Sequence, residues 1–346
     1  MHITIPGLLH HLKGCIEMTT KLNHCYAYTN GIRMHYVEQG AGPLVLLCHG
    51  WPESWYSWRH QIPALAAAGF RVVAPDQRGY GDTDAPDEVE AYDIVNLVAD
   101  LVGLVQALGA DRAFLVGHDW GAIVAAPAAL LRPDMFRALG LLSVPYLARQ
   151  KLRPAVRFEL ATQERHFYQH YFQRRGHVER ELEEDVRRSI TGILYTASGE
   201  ARASGVKSSL VSFDKNTRLV DNLALPECLP AWLSQADLDY FVTQFERSGF
   251  RGPINWYRNF DRNWALTPFL DGAKILQPTL FAAGSLDGVL QIAAAPYDAM
   301  ETNCTRLVGK HLIPGAGHWI QQERPAEVNE LLLRFLTDQV ATGAMA

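Results

Sequence analysis

The sequence predicts an α/β protein, a mostly parallel sheet flanked by helices with a helical cap inserted into it, and three observations predict it. Short apolar runs bounded by turn residues alternate with longer segments of helical period. The alternation stops after Pro145, where polar, aromatic-studded helical stretches take over. Strand-like runs return only from Pro278. Regular alternation of strand and helix is the signature of a parallel sheet, because each connection must carry the chain back to the same end of the sheet.

In chain order, the runs Leu44–Cys48, 71–74, 113–116, 138–143 and 279–283 are rich in Val, Leu and Phe and read as buried strands. Helix-period segments fall at about 55–68, 91–108 and 120–131, and Pro127 is expected to kink the last. Beyond Pro145, "FELATQERHFYQHYFQRR" reads as helical and "SGEARASGVKSS", small and polar, as a mobile loop. "RLVGKHLI" is strand-like again, and residues 325–340 form the closing helix. The expected division is therefore 1–20 as an N-terminal extension, 21–145 as the first part of the core, 146–270 as the cap and 271–346 as the second part of the core.

With 48% hydrophobic and 20% charged residues over 346 positions, the chain has the composition of a globular protein, large enough for a core plus an insertion. Its formal charge of -5 comes without a long run of Lys and Arg, so neither nucleic acid nor an acidic membrane surface is an expected partner. Five scattered cysteines with no CxxC pair point to a reduced, cytoplasmic chain. No basic start followed by an unbroken apolar run marks a secretory signal, and the longest apolar run, 122–131, is short of the roughly 20 residues a membrane span needs. Neither a metal-ligand spacing nor a phosphate loop is present, so no cofactor and no metal is expected. The oligomeric state stays open, a homodimer among the options.

The chemistry gathers around "LVGHDWGA", Leu115 to Ala122. Its Gly-x-nucleophile-x-Gly frame follows a strand and precedes a helix, but Asp119 stands where a serine would serve acyl transfer. A carboxylate can displace a leaving group from saturated carbon and become an ester, which water can then cleave. An aspartate opening a helix is also an ordinary N-cap. "CHGWPESW" offers a turn whose Trp51 amide converges with that of Trp120, two donors for an oxyanion. "PGAGHW" lifts His318 onto a loop and "GSLDGVL" places Asp287 just after a strand, giving the chain order nucleophile, acid, histidine. The strand ending "LLSVP" has no carboxylate, and His49, His118 and the turn "PDQRGYGDTD" read as structural. Phe167, Tyr168, Tyr171 and Phe172 form a stripe at helical spacing that reads as packing, and the residues alone do not choose between the two tyrosines. Tyr257, within "INWYRNFDRNW", reads as packing too.

Taken together, "HGWPESWYSWRHQIPAL", "DQRGYGDT", "VGHDWGA", "YQHYFQ", "GFRGPINWYRN" and "GHWIQQERP" resemble, in order, the soluble-type epoxide hydrolases of the α/β-hydrolase fold. That resemblance implies a cofactor-independent enzyme turning a small-molecule epoxide into a vicinal diol through an ester on Asp119. It implies His318 as the water-activating base, Asp287 as its carboxylate partner, and Tyr168 and Tyr257 as donors to the epoxide oxygen. One rival is a haloalkane dehalogenase, which shares the Asp-Trp pair but usually carries Asn where Trp51 stands. Another is a hydrolase-fold receptor without turnover. For the enzyme, activity is expected to fall below about pH 6 as His318 protonates and above about pH 9 to 10 as the tyrosines ionise.

Overall fold

Residues 22–207 and 209–343 are described by the computed structural model, so the expected extension over 1–20 lies outside the described residues. The chain enters the sheet through a hairpin of β1 (Asn23–Thr29) and β2 (Ile32–Gln39), turned at Asn30 and Gly31, both with positive φ. Asn-Gly is the pair that best tolerates that geometry. Their mixed polar and apolar residues hid these two strands from a search for unbroken apolar runs. The next strands are β3 (Leu44–Cys48), β4 (Arg71–Pro75), β5 (Ala113–His118) and β6 (Phe136–Leu142). After the insertion come β7 (Ile275–Gly284) and β8 (Cys304–Ile313). The sheet order is β1-β2-β4-β3-β5-β6-β7-β8, antiparallel at β1/β2 and β2/β4 and parallel from β4 onward.

Two expected helices are divided. Residues 55–68 form a 3-10 turn, Trp55–Trp58, and a separate helix, Gln61–Ala67. Pro63 has no N–H to give a helix running through from Trp55, but it fits the first turn of a new one, where amides are unpaired anyway. Asp93 likewise caps Ile94–Ala107 by accepting the Asn96 N–H at 2.9 Å, leaving Val89–Tyr92 as a 3-10 turn. The helix Trp120–Leu131 carries Pro127 inside it.

Between β6 and β7 lies the cap, and here periodicity misled once and composition once. The stretch 158–175 is not one helix: Pro154–Ala161 ends where Thr162 Oγ1 bonds back to the Phe158 carbonyl at 2.8 Å. His166–Phe167 then pairs with Ser212–Phe213, and Tyr168–Tyr171 makes a single helical turn. The supposed mobile loop begins as a helix, Gly199–Ala203, because Ser198 caps it through the Ala201 N–H and Ala201 is wholly buried. The turn after β4 is built on Asp76, which accepts the Trp55 N–H at 3.0 Å and contacts the His35 ring at 2.8 Å.

One apolar core runs from the sheet into the cap, joining Trp51 and Trp120 to Phe172, Ile193, Leu219 and Trp256. A second, on the other face, packs Phe114 and Leu280 against Phe335 and Leu336 of the closing helix Pro325–Ala341. Register sets Cys48 beside Gly117, His118 beside Leu142 and Leu142 beside Ala282. The loops after β3, β5, β6 and β7 therefore leave one end of the sheet, the end where parallel sheets collect their ligands. Among the described residues no helix is long and apolar enough to cross a membrane.

Candidate active site

Asp119 sits at φ 50° and ψ -117° and its side chain makes no cap bond, so the N-cap alternative is not taken. Holding a non-glycine residue there costs about 1–3 kcal/mol. The turn is possible because its neighbours lack side chains. A Cβ on Gly121 would strike the carbonyls of Cys48 and His49, one on Gly117 would strike the Gly121 backbone, and one on Gly50 would strike Asp119 itself. That last contact brings the two turns together. The Trp51 N–H donates to Asp119 Oδ1 at 2.9 Å, and Trp120 supplies the first amide of its helix, a donor no intrahelical carbonyl can take.

His318 Nε2 lies 3.5 Å from the other carboxylate oxygen, Asp119 Oδ2. Its Nδ1 faces both oxygens of Asp287 at 3.2 and 3.1 Å, and Asp287 also accepts the Val289 N–H at 2.8 Å. Burial opposes a charge on the ring, but the carboxylates of Asp287 and Asp119 outweigh it and raise the His318 pKa well above the ordinary value. Burial likewise opposes the charge on Asp287, and the His318 ring holds its carboxyl below the usual range. His318 thus sits between two carboxylates, whose charges favour its protonated form. This moves the acid limb expected near pH 6, since that value assumed an ordinary imidazole.

Tyr168 and Tyr257 come from separate cap helices, and their rings meet edge to face with centroids 5.8 Å apart. Gln169 Nε2 donates to the Tyr168 hydroxyl at 2.9 Å, which leaves that O–H to be given away, and the Trp120 ring packs edge to face on Tyr257 with centroids 5.0 Å apart. Tyr171, indistinguishable by spacing, is elsewhere: its O–H donates to Glu181 Oε2 at 2.7 Å. Burial first, then the Asp119 charge, raise both Tyr168 and Tyr257. The alkaline limb expected near pH 9 to 10 therefore moves upward.

One cavity wall carries Asp119, Tyr168, Tyr257, Asp287, His318 and Trp51 together, in an arm lined by apolar side chains such as Phe172, Ile193 and Leu219. A second arm, sharing Asp119 and Tyr168, runs past Trp120, Tyr146, Gln150 and Phe260.

Several buried polar residues around these groups escaped the sequence reading. His118 Nδ1 faces Glu53 Oε2 at 2.7 Å and its Nε2 faces the His318 carbonyl at 2.8 Å. A carbonyl can only accept. Burial pushes Glu53 up, but the His118 charge and its hydrogen bonds bring it down to about 2. Glu53 also accepts the Gly50 N–H at 2.8 Å, next to the Trp51 donor, and Ser143 Oγ donates to the His318 carbonyl at 2.7 Å. The structural role expected for His118 is thus specific: it ties the oxyanion turn to the histidine loop. These residues lie inside quoted motifs or at a strand end, but nothing in a single sequence distinguishes a buried glutamate from an exposed one.

Residues 43–325 match the family described as alpha/beta hydrolase fold. The chain is 46% identical over 322 residues to epoxide hydrolase A of Mycobacterium tuberculosis, covering 89% of this chain and 95% of that one. It is similar to the solved epoxide hydrolase from an endophytic Streptomyces, with a TM-score of 0.89, 47% identity and coverage of 93% and 96% of the two chains. It is similar as well to the crystal structure of epoxide hydrolase A from Mycobacterium thermoresistibile, with a TM-score of 0.84, 44% identity and coverage of 92% and 98%. The chain belongs to the α/β-hydrolase fold family, among the epoxide hydrolases.

Proposed function

We propose that this protein hydrolyses epoxides to vicinal diols through an ester on Asp119. The observation that carries the reading is that Tyr168 and Tyr257 line the same cavity as Asp119. Asp119 Oδ2 attacks a ring carbon, the C–O bond breaks, and a tyrosine proton goes to the departing oxygen. Oδ1, already on the Trp51 amide, becomes the ester carbonyl oxygen. The proton resting on His318 replaces the one the tyrosine gave, and the neutral ring is then the base for water. Water adds to the Asp119 carbonyl carbon, with the amides of Trp51 and Trp120 on the oxyanion. The alkyl–oxygen leaves with the proton His318 took, the second hydroxyl of the diol is free, and the new carboxyl returns its proton to His318. Epoxide and water are consumed and every proton is restored.

Purified protein incubated in parallel with an aryl epoxide, a long-chain aliphatic epoxide and a bromoalkane is expected to yield diol without bromide, and Asp119→Ala to yield neither. Bromide without diol would mean that the tyrosines are packing and that the dehalogenase reading wins. Diol at an undiminished rate from Asp119→Ala would favour the receptor reading with background hydrolysis.

The pH dependence separates the two states of His318. Esterification removes the Asp119 charge, one of the two that raise the ring. The group controlling ester hydrolysis is therefore expected to titrate at lower pH than His318 does in the free enzyme. Single-turnover rates against pH, set beside an NMR titration of the ring, measure both; identical values would remove Asp119 as a cause. On the alkaline side, activity should hold through about pH 10, the ordinary phenol value. A cytoplasmic location is supported by free Cys25, Cys48, Cys228 and Cys304, which suit a reducing compartment.

A further inference from the structure

In the motif "GHWIQQERP" only the histidine has so far been given a task in catalysis, yet its glutamate is buried and fully engaged. Glu323 Oε2 accepts the N–H of Gly317 at 2.9 Å and that of Gly199 at 2.9 Å; Oε1 accepts the N–H of Trp319 at 3.1 Å. One carboxylate thus holds the amides on both sides of His318 together with an amide of the cap. Three N–H donors suit an ionised, acceptor-only group, and they oppose only in part the burial that keeps its pKa raised. The cap closes on the same loop directly. The His318 N–H donates to the Ala197 carbonyl at 2.9 Å and the Trp319 indole to the Leu194 carbonyl at 2.7 Å. Gly199 is so near that a Cβ there would strike the backbone of Gly315 and Gly317.

We propose that Glu323 is a positioning residue for the hydrolytic half of the reaction, tying the docked cap to the His318 loop and so fixing the ring against Asp287 and Asp119. The proposal rests on the two-step reading above. Ester formation uses Asp119, Tyr168 and Tyr257, none of which Glu323 touches. Hydrolysis alone needs His318 aimed at a water, and a displacement of about 1 Å at such a group can cost roughly 100-fold. In Glu323→Gln one side-chain oxygen becomes an N–H2 group facing backbone N–H donors, so the loop must move away from it.

Rapid quenching of the reaction with an aryl epoxide, followed by intact-protein mass spectrometry, measures ester gain and ester loss separately. In Glu323→Gln, ester formation is expected within about two-fold of wild type and ester loss slowed by roughly 10- to 100-fold. Glu323→Asp keeps the charge and should fall between. A partly misfolded sample lowers the amplitude of the ester signal but neither rate constant. If Glu323→Gln does not fold, Glu323→Asp carries the test by the same criterion of unequal slowing. Equal slowing of both steps, or of neither, overturns the proposal. His318→Gln, run alongside, keeps the two failures apart. An ester there but no selective slowing in the Glu323 variants removes Glu323 alone, whereas no ester there removes the two-step reading.

Discussion

His318→Gln is expected to stop turnover with Asp119 still esterified, read as a mass increase of one substrate on the Asp119 peptide. The residues that form the ester are untouched by the change: Asp119 keeps its strained backbone and the Trp51 amide on Oδ1. The glutamine amide can occupy the place of the ring and hydrogen-bond Asp287, but it cannot take a proton from water. Loss of a general base costs roughly 10²–10⁴-fold. The steady state should therefore collapse while the first turnover survives. The variant also strips Asp287 of the charge that holds its carboxyl low, leaving it only the neutral donors of the glutamine amide and the Val289 N–H. A fall in Tm is expected for that reason, and the peptide mass separates it from the catalytic loss. No adduct from a folded variant would count against an ester intermediate.

Why some of this was legible in the sequence and some was not follows from what each feature depends on. Strands β3 to β6 announced themselves because burial on both faces forces unbroken apolar runs. β1, largely exposed, and β2, whose buried positions include the polar His35, did not, although their Asn30-Gly31 turn was itself a hairpin signal. Asp119, Asp287 and His318 could be found because each follows a strand end in a turn of restricted composition, where local chemistry and chain order agree. Choosing Tyr168 over Tyr171 was a different matter. Both lie on one helical turn, and only the partners, Gln169 for one and Glu181 for the other, place them in different surroundings. Glu53 and Glu323 were missed because their roles exist only once residues far apart in the chain have met, as when Glu53 reaches Gln321.

Replacing Tyr168 and Tyr257 by phenylalanine carries the second large effect, and it divides the substrate classes. An epoxide opens to an alkoxide about as basic as hydroxide, whose parent water has a pKa of about 15.7, so without a donor the leaving group holds full charge in an apolar arm. Both phenols are raised above the ordinary value, which keeps them protonated and brings them closer to the alkoxide they must match. Removing one oxyanion donor typically costs roughly 10²–10³-fold. Each single variant should lose diol formation by about that factor, and the double variant by less than the product, because the two act on one oxygen. Ester formation should be the step that slows, the reverse of His318→Gln and Glu323→Gln. Bromide needs no proton, so whatever slight bromoalkane activity the wild type has should survive. The ratio of bromide to diol is therefore expected to rise in Tyr257→Phe, measured as initial rates on matched substrates. Diol formation within a few-fold of wild type in the double variant would return both tyrosines to the packing role that their spacing alone suggests.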